Sequence, residues 1–172
     1  RAVWVDEDLV PAPRNIYGVT KAAAEDLCEI VHRERGLPCL VLRTSRFFPE
    51  VDDARRDLPD ETITANAYLY RRVDLEDVVT AHELALSKAA SIGFGKYVVT
   101  ATSPFSRDDL AELMRDAPSV VARYYPDFRA VYSRRDWRMF PVIERVYSNE
   151  KARRDLGWRP KYDFSRVLEC LK

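Results

Sequence analysis

Asn15-Ile16-Tyr17-Gly18-Val19-Thr20-Lys21 heads a helical pattern that runs on to Gly36. Tyr17 and Lys21 lie four residues apart, so on a helix their side chains rise from one face, about one turn from each other. A free phenol, with a pKa near ~10, is a poor base at neutral pH, and an ammonium one turn away favours the phenolate. A tyrosine so placed can take the proton of a secondary alcohol, or return one to a ketone, while a hydride moves elsewhere. No side chain stores a hydride, so this chemistry implies a nicotinamide. The spacing alone does not decide the matter, because Tyr147 and Lys151 repeat it in a chain with nine tyrosines. There Ser148 is a good N-cap, which leaves Tyr147 outside the helix and off the face of Lys151.

Around Tyr17 the flanking residues are specific. Pro11 and Pro13 precede it, Gly18 follows it, and Ala22-Ala23-Ala24-Glu25 continue the helix. The stretch PAPRNIYGVTKAAAEDL, residues 11–27, resembles the catalytic-helix region of the extended short-chain dehydrogenase/reductases, the NAD-dependent epimerase/dehydratase family. A second stretch, residues 148–160, resembles that family's terminal helix, which closes on Leu-Gly-Trp-x-Pro, here Leu156-Gly157-Trp158-Arg159-Pro160. The resemblance implies an α/β fold: the C-terminal part of a doubly wound Rossmann-type fold plus a small, mostly helical substrate-binding subdomain. Residues 1–48 would end the dinucleotide-binding domain with the catalytic helix and the following strand. Residues 49–172 would form the substrate-binding portion, returning to the sheet by strand and helix near 70–102.

The composition is that of an ordinary globular protein, 47% apolar and 33% charged over 172 residues, with a formal net charge of zero. That balance argues against general nucleic-acid binding, although Ser133-Arg134-Arg135 could meet a phosphate. Cys28, Cys39 and Cys170 show no paired spacing and His32 and His82 stand far apart, so neither a metal site nor a disulfide framework is expected. No run of 18 apolar residues is present, and residues 1–16 carry Asp6, Glu7 and Asp8. A soluble, cytoplasmic protein without membrane contact is expected. The chain opens at Arg1 inside what reads as a strand end, Ala2-Val3-Trp4-Val5, which suggests a fragment.

Along the chain, Asn15 should cap a helix that Gly36 ends, with Ala24, Leu27, Cys28 and Val31 as its packing stripe. Cys28 is read as core. Pro38-Cys39-Leu40-Val41-Leu42 reads as a parallel strand buried on both faces, after which ligands bind at the strand's carboxyl end. Residues 50–66 read as a mobile loop of the substrate side. Glu76 and Asp77 read as charges in the first turn of a helix that holds a structural His82. Gly93 and Gly95 punctuate a turn into a strand over 96–101, and Gly-Phe-Gly there is no dinucleotide loop. Ser106 and Pro118 start two short helices, and Asp163 caps a last one over 164–171. Between 123 and 140 arginines interleave with Tyr124, Tyr125, Phe128, Tyr132, Trp137 and Phe140, a composition that could stack a base and hold a diphosphate. A folded edge with snorkelling arginines is the equal alternative.

By resemblance, Tyr17 is the catalytic acid/base and also contacts the cofactor, Lys21 assists it and holds the nicotinamide ribose, and Thr44 and Ser45 border the nicotinamide of NAD or NADP. Arg43 matches the family's strand-ending arginine, whereas Arg46 occupies the position of a substrate-contacting asparagine. An arginine there could grip a carboxylate or phosphate, or pair with Glu50 or Asp52. Arg46, Phe47, Arg72, Arg135 and Arg138, with Arg71 a further choice, are expected at a nucleotide-sugar substrate. Trp158 should pack in the substrate domain, and the catalytic helix should form a homodimer through residues 22–34. The glycine loop that holds the cofactor pyrophosphate, the acid for its ribose and the Ser or Thr beside the tyrosine are not in these residues, so the isolated chain should be inactive. Two rivals stand beside an epimerase, dehydratase or reductase of nucleotide sugars: a reductase of a non-sugar ketone or alcohol, and a non-catalytic protein that keeps the fold.

Overall fold

A short strand, β1 (Val3–Val5), and the loop after it lead into α1, Ile16–Arg35. The computed structural model describes residues 2–48 and 58–171. Local chemistry sets both ends of α1. The Asn15 side chain accepts the Gly18 N–H at 2.8 Å, and Gly36 closes the helix at φ 67°, donating its own N–H to His32 O.

α1 is followed by β2 (Cys39–Thr44), α2 (Asp60–Ala67), α3 (Leu75–Ile92) and β3 (Phe94–Val99). β2 and β3 pair in parallel, from Cys39↔Phe94 to Thr44↔Val99. A 3-10 turn at Arg107–Asp109 opens a helical stretch of α4 (Leu110–Leu113), α5 (Ala117–Tyr124) and α6 (Phe128–Ser133). β4 (Arg145–Tyr147) then pairs in parallel with β1, and α7 (Glu150–Leu156) and α8 (Phe164–Leu171) complete the described chain. No helix among the described residues is long and apolar enough to cross a membrane.

Two cores result. One, under the sheet of β2 and β3, contains Val73, Val78, Ala81, Tyr97, Val99, Leu156 and Trp158. The other gathers Ile63, Leu69, Leu113, Val121, Phe128, Tyr132, Phe140, Val146 and Phe164 from the helices and β4. Trp158 therefore packs beneath the sheet and not in the helical part, because its indole N–H donates to Asp77 O (3.1 Å) and Thr80 Oγ1 (3.2 Å) on α3.

Several expectations are corrected. The stripe of Ala24, Leu27 and Val31 faces outward, with Leu27 61% exposed, and the inward side of α1 is Ala22, Glu25, Cys28 and His32. Two of those inward residues are charged or ionisable and meet partners on the strands, so hydrophobicity alone points to the wrong face. β2 is half-buried throughout and not buried on both faces, since among the described residues it pairs along one edge only. Residues 50–57 of the expected loop lie outside the described residues, but 60–67 form α2, with Thr62, Ile63, Ala65, Asn66 and Ala67 buried. Asn66 is satisfied there by distant partners: its amide donates to Arg138 O and its carbonyl accepts from Tyr132 Oη. β3 begins two residues before the expected strand. Gly95 lies within it because the Tyr97 ring covers that position, and a Cβ would stand 2.8 Å from ring atoms.

Candidate active site

The loop before α1 closes down on its first turn. Gly18 makes this possible, since a Cβ there would meet Pro13 Cβ at 3.0 Å and Asn15 Oδ1 at 3.3 Å. With the cap in place, Tyr17 sits in the first turn, 70% exposed, and Lys21 Nζ stands 5.5 Å from the centre of its ring. Lys21 also lines a cleft of about 230 Å³ with Val5, Leu9, Glu25, Arg43 and Tyr147. The second Tyr–Lys spacing does not form a pair: Tyr147 is in β4, while Lys151, in α7, lies over the Tyr97 ring.

A charged strap fixes α1 to the sheet. Arg43 donates to both Glu25 carboxylate oxygens, at 2.9 and 2.8 Å, and Lys96 Nζ stands 3.8 Å from Glu25 and 3.2 Å from Glu29. The Arg43 hydrogen bonds hold the Glu25 carboxyl below its ordinary range against the opposing effect of burial. Glu7 reaches the same place from the other side, accepting the Val98 N–H at 2.6 Å, while its carbonyl accepts from Arg43. At the far end of α1, His32 stacks on Phe94, the register partner of Cys39. The helix thus runs antiparallel to β2, and its first turns, with Tyr17 and Lys21, extend toward the carboxyl end of the strand.

At that end the backbone of Ser45 donates to Val99 O at 2.9 Å, and Ser45 Oγ is buried without a hydrogen-bond partner. A buried hydroxyl left unmatched costs stability, so its position favours a bound polar group. Thr44 Oγ1 turns back to Leu42 O at 3.5 Å. Arg46 bridges Arg72 in parallel, and its carbonyl accepts the Val73 N–H. Arg72 lies 5.7 Å from the Tyr68 ring centre and donates to Phe48 O at 3.4 Å. Phe47 is exposed and meets Phe48 edge-on. Thr44, Ser45, Arg46 and Arg72 are thereby brought together; the partners Glu50 and Asp52 considered for Arg46 lie outside the described residues.

Arg135 is turned elsewhere, donating to Leu171 O at the end of α8, and Arg138 holds Asn66 through its carbonyl. Most of the aromatic residues near them turn inward, while Tyr124 stays exposed. Phe128, Tyr132 and Phe140 are buried in the helical core, Tyr125 meets Phe164 edge-on, and Arg123 pairs with Asp109 and Glu112. Burial of these rings releases more free energy than a solvent-facing aromatic surface could, and it decides their direction.

Asp77 is also more than a first-turn charge. It is 1% exposed and accepts the N–H groups of Lys161 (2.8 Å) and Tyr162 (3.0 Å), which locks the Leu-Gly-Trp-x-Pro tail onto α3. The role of Glu25 was open to detection from its place four residues beyond Lys21 on the same helix face. Glu7 carried no such signal.

No protein-family model matches the chain. No curated protein matches it either. Solved structures do. RMD from Pseudomonas aeruginosa complexed with NADPH is 21% identical, with a TM-score of 0.56 over 97% of this chain and 57% of that one. UDP-glucuronic acid 4-epimerase from Bacillus cereus, in complex with UDP-glucuronic acid and NAD, is 19% identical with a TM-score of 0.57, covering 98% of this chain and 55% of that one. The dTDP-glucose 4,6-dehydratase of Bacillus anthracis in complex with NAD is 19% identical with a TM-score of 0.55, covering 98% and 54%. The chain thus spans little more than half the length of these structures, and what it shares with them is the fold, a C-terminal part of a Rossmann-type α/β architecture.

Proposed function

We propose that this chain carries the acid/base residues and the substrate side of an NAD(P)-dependent epimerase, dehydratase or reductase acting on a nucleotide sugar. The observation that carries the reading is the pairing of Tyr17 and Lys21 on the first turns of α1, extended toward the end of β2 by the Glu25–Arg43 strap. The cofactors and UDP-glucuronic acid held by the matched structures support it. Ser45 Oγ, buried and unmatched, suits an amide or ribose hydroxyl of a nicotinamide nucleotide, with Thr44 beside it and Lys21 on the ribose.

When bound, a nicotinamide supplies the hydride acceptor and donor. The chain's own part is proton handling. Tyr17 Oη takes the proton of the substrate hydroxyl as its carbon is oxidised and returns it on reduction, and the Lys21 ammonium stabilises the negative charge on the phenolate. Arg46 and Arg72 orient the substrate through its anionic groups, with Phe47 against its apolar parts. Arg135 and Arg138 keep a place in the substrate set only for a nucleotide that reaches the helical part. A homodimer through the outward face of residues 22–34 and a cytoplasmic location complete the proposal. The 172 residues by themselves should turn nothing over, because the pyrophosphate-binding glycine loop of that fold is not among them.

The test is turnover of a series of UDP- and dTDP-sugars, with NAD+ or NADP+, by the complete reading frame that contains this chain. Tyr17→Phe should lower kcat by ~10²–10⁴-fold with the thermal midpoint and nicotinamide binding unchanged. Full turnover by a folded Tyr17→Phe protein would remove the acid/base role. The inward turn of Phe128, Tyr132 and Phe140 favours a second reading, reduction of a non-sugar ketone. Under that reading UDP and dTDP would fail to compete with the substrate.

A further inference from the structure

Cys28 and Cys39 stand outside the chemistry described above. Cys28 is on the inward face of α1, three residues beyond Glu25 and four before His32. Glu25 is bound to Arg43 of β2, and the His32 ring stacks at 5.7 Å on Phe94, which pairs with Cys39. The helix is therefore pinned to the strands on both sides of Cys28, with Cys28 between those pins on the side that faces β2. The Cys39 thiol is pushed up, first by burial and then by the neighbouring Cys28. Both are free thiols and half-buried, whereas Cys170 is exposed on α8, a helix of the other core. No three His, Cys, Asp or Glu side chains converge to hold a metal among the described residues. What remains for two adjoining thiols is their own redox chemistry.

We propose that Cys28 and Cys39 form a dithiol that a hydroperoxide closes to a disulfide, joining α1 to β2. One thiolate sulfur attacks the peroxide O–O bond; an S–O bond forms, and the other oxygen leaves as an alcohol, or as water when the oxidant is hydrogen peroxide. The second thiolate sulfur attacks the resulting sulfenic acid; the S–S bond forms and the S–O bond breaks, with water leaving. The two thiols together give up two electrons and two protons, and the hydroperoxide takes up both. Burial pushes the Cys39 thiol up and disfavours its thiolate, so Cys28 is the attacking sulfur and Cys39 the resolving one. The ring so closed contains the last turn of α1 and Gly36, and it fixes one end of the helix whose other end carries Tyr17. Nothing in this step depends on a nicotinamide or on the substrate.

Trypsin separates the two cysteines, placing Cys28 in residues 22–33 and Cys39 in residues 36–43. The protein is treated with hydrogen peroxide in its native state, quenched with N-ethylmaleimide and digested without reduction. The expected product is one species joining those two peptides, lighter than their sum by two hydrogens and separated by dithiothreitol, while Cys170 is recovered alkylated. In Cys39→Ser the same treatment should leave Cys28 as a sulfenic acid that dimedone traps, and wild-type protein should trap little. Recovery of the two peptides separately, as alkylated or sulfinic species, overturns the proposal. So does a cross-link to Cys170 or between chains, or a Cys39→Ser protein that dimedone does not label.

Discussion

Asp77 works against its own ionisation and is kept for its two oxygens. Burial pushes its carboxyl up from the ordinary 3.8, and the hydrogen bonds from the Lys161 and Tyr162 backbones offset this only in part. In Asp77→Asn one acceptor becomes an amide N–H facing a backbone N–H, so the tail loses a hydrogen bond and gains an unmatched donor. The expected cost is about 1–3 kcal/mol, read as a lower urea midpoint with an unchanged slope. The pH dependence has a definite sign. Because the folded-state pKa lies above the unfolded one, the folded protein binds the proton more tightly. The Asp77 contribution is therefore fully present below 3.8 and declines as pH rises through the raised value. The advantage of wild type over Asp77→Asn should shrink across that window and stay level above it; an advantage that grows with pH there would show that the charge itself is favoured.

The strap from α1 to β2 titrates in the opposite sense. Arg43 holds Glu25 below the ordinary 4.5, so its contribution is present above that value and lost as pH falls through the lowered one. Glu25→Gln, which leaves the half-buried Arg43 with a neutral partner, should cost about 1–2 kcal/mol near neutral pH and little in acid. If the strap also holds the first turns of α1 toward β2, Glu25→Gln should lower turnover in the complete enzyme with the pH profile of kcat unmoved. In β3, Gly95→Ala should cost about 1–3 kcal/mol, since the Cβ would overlap the Tyr97 ring in a packed strand, and thermal denaturation would read it. These elements also show what could be read from the residues alone. The caps of α1 by Asn15 and Gly36, of the 3-10 turn by Ser106 and Asp109, and of α8 by Asp163 are local, and the spacing of a few residues carries them. α2 was missed because Thr62 and Asn66 look like loop residues, and what buries Asn66 is Tyr132 and Arg138, some seventy positions away. Distance in sequence likewise hid the inward turn of the 125–140 aromatics and the hold of Trp158 on α3. The spacing of Tyr17 and Lys21 was legible because it lies within one helical turn; which arginines stand together beyond β2 depends on a bridge between Arg46 and Arg72 that no local pattern encodes.

At the scale of the molecule, α1 presents water with a face it should not keep to itself. Leu27 is 61%, Ile30 38% and Val31 40% exposed, and they recur at three- and four-residue intervals along one side of the helix. The opposite side is occupied by the strands, so no rotation of α1 within the chain can bury both faces. An exposed apolar stripe of this kind suits an association surface, and in the proposed homodimer α1 would pair with its own copy about a twofold axis, each stripe covering the other. A stable pairing needs roughly 1,200–2,000 Å² in total, more than three side chains on each chain supply. Ala23, Ala24 and the aliphatic stems of Arg33 and Glu34 must join them, and their small or flexible side chains permit close approach. Leu27→Glu places a charge at the centre of the stripe on both copies, so the two charges meet across the axis. Sedimentation at micromolar concentration should then show a dimer for wild type and a monomer for Leu27→Glu. The thermal midpoint of the variant should become independent of protein concentration, while that of wild type rises with it. A wild-type protein that sediments as a monomer throughout this range would mean that the stripe is covered by another part of a longer chain or by a different partner.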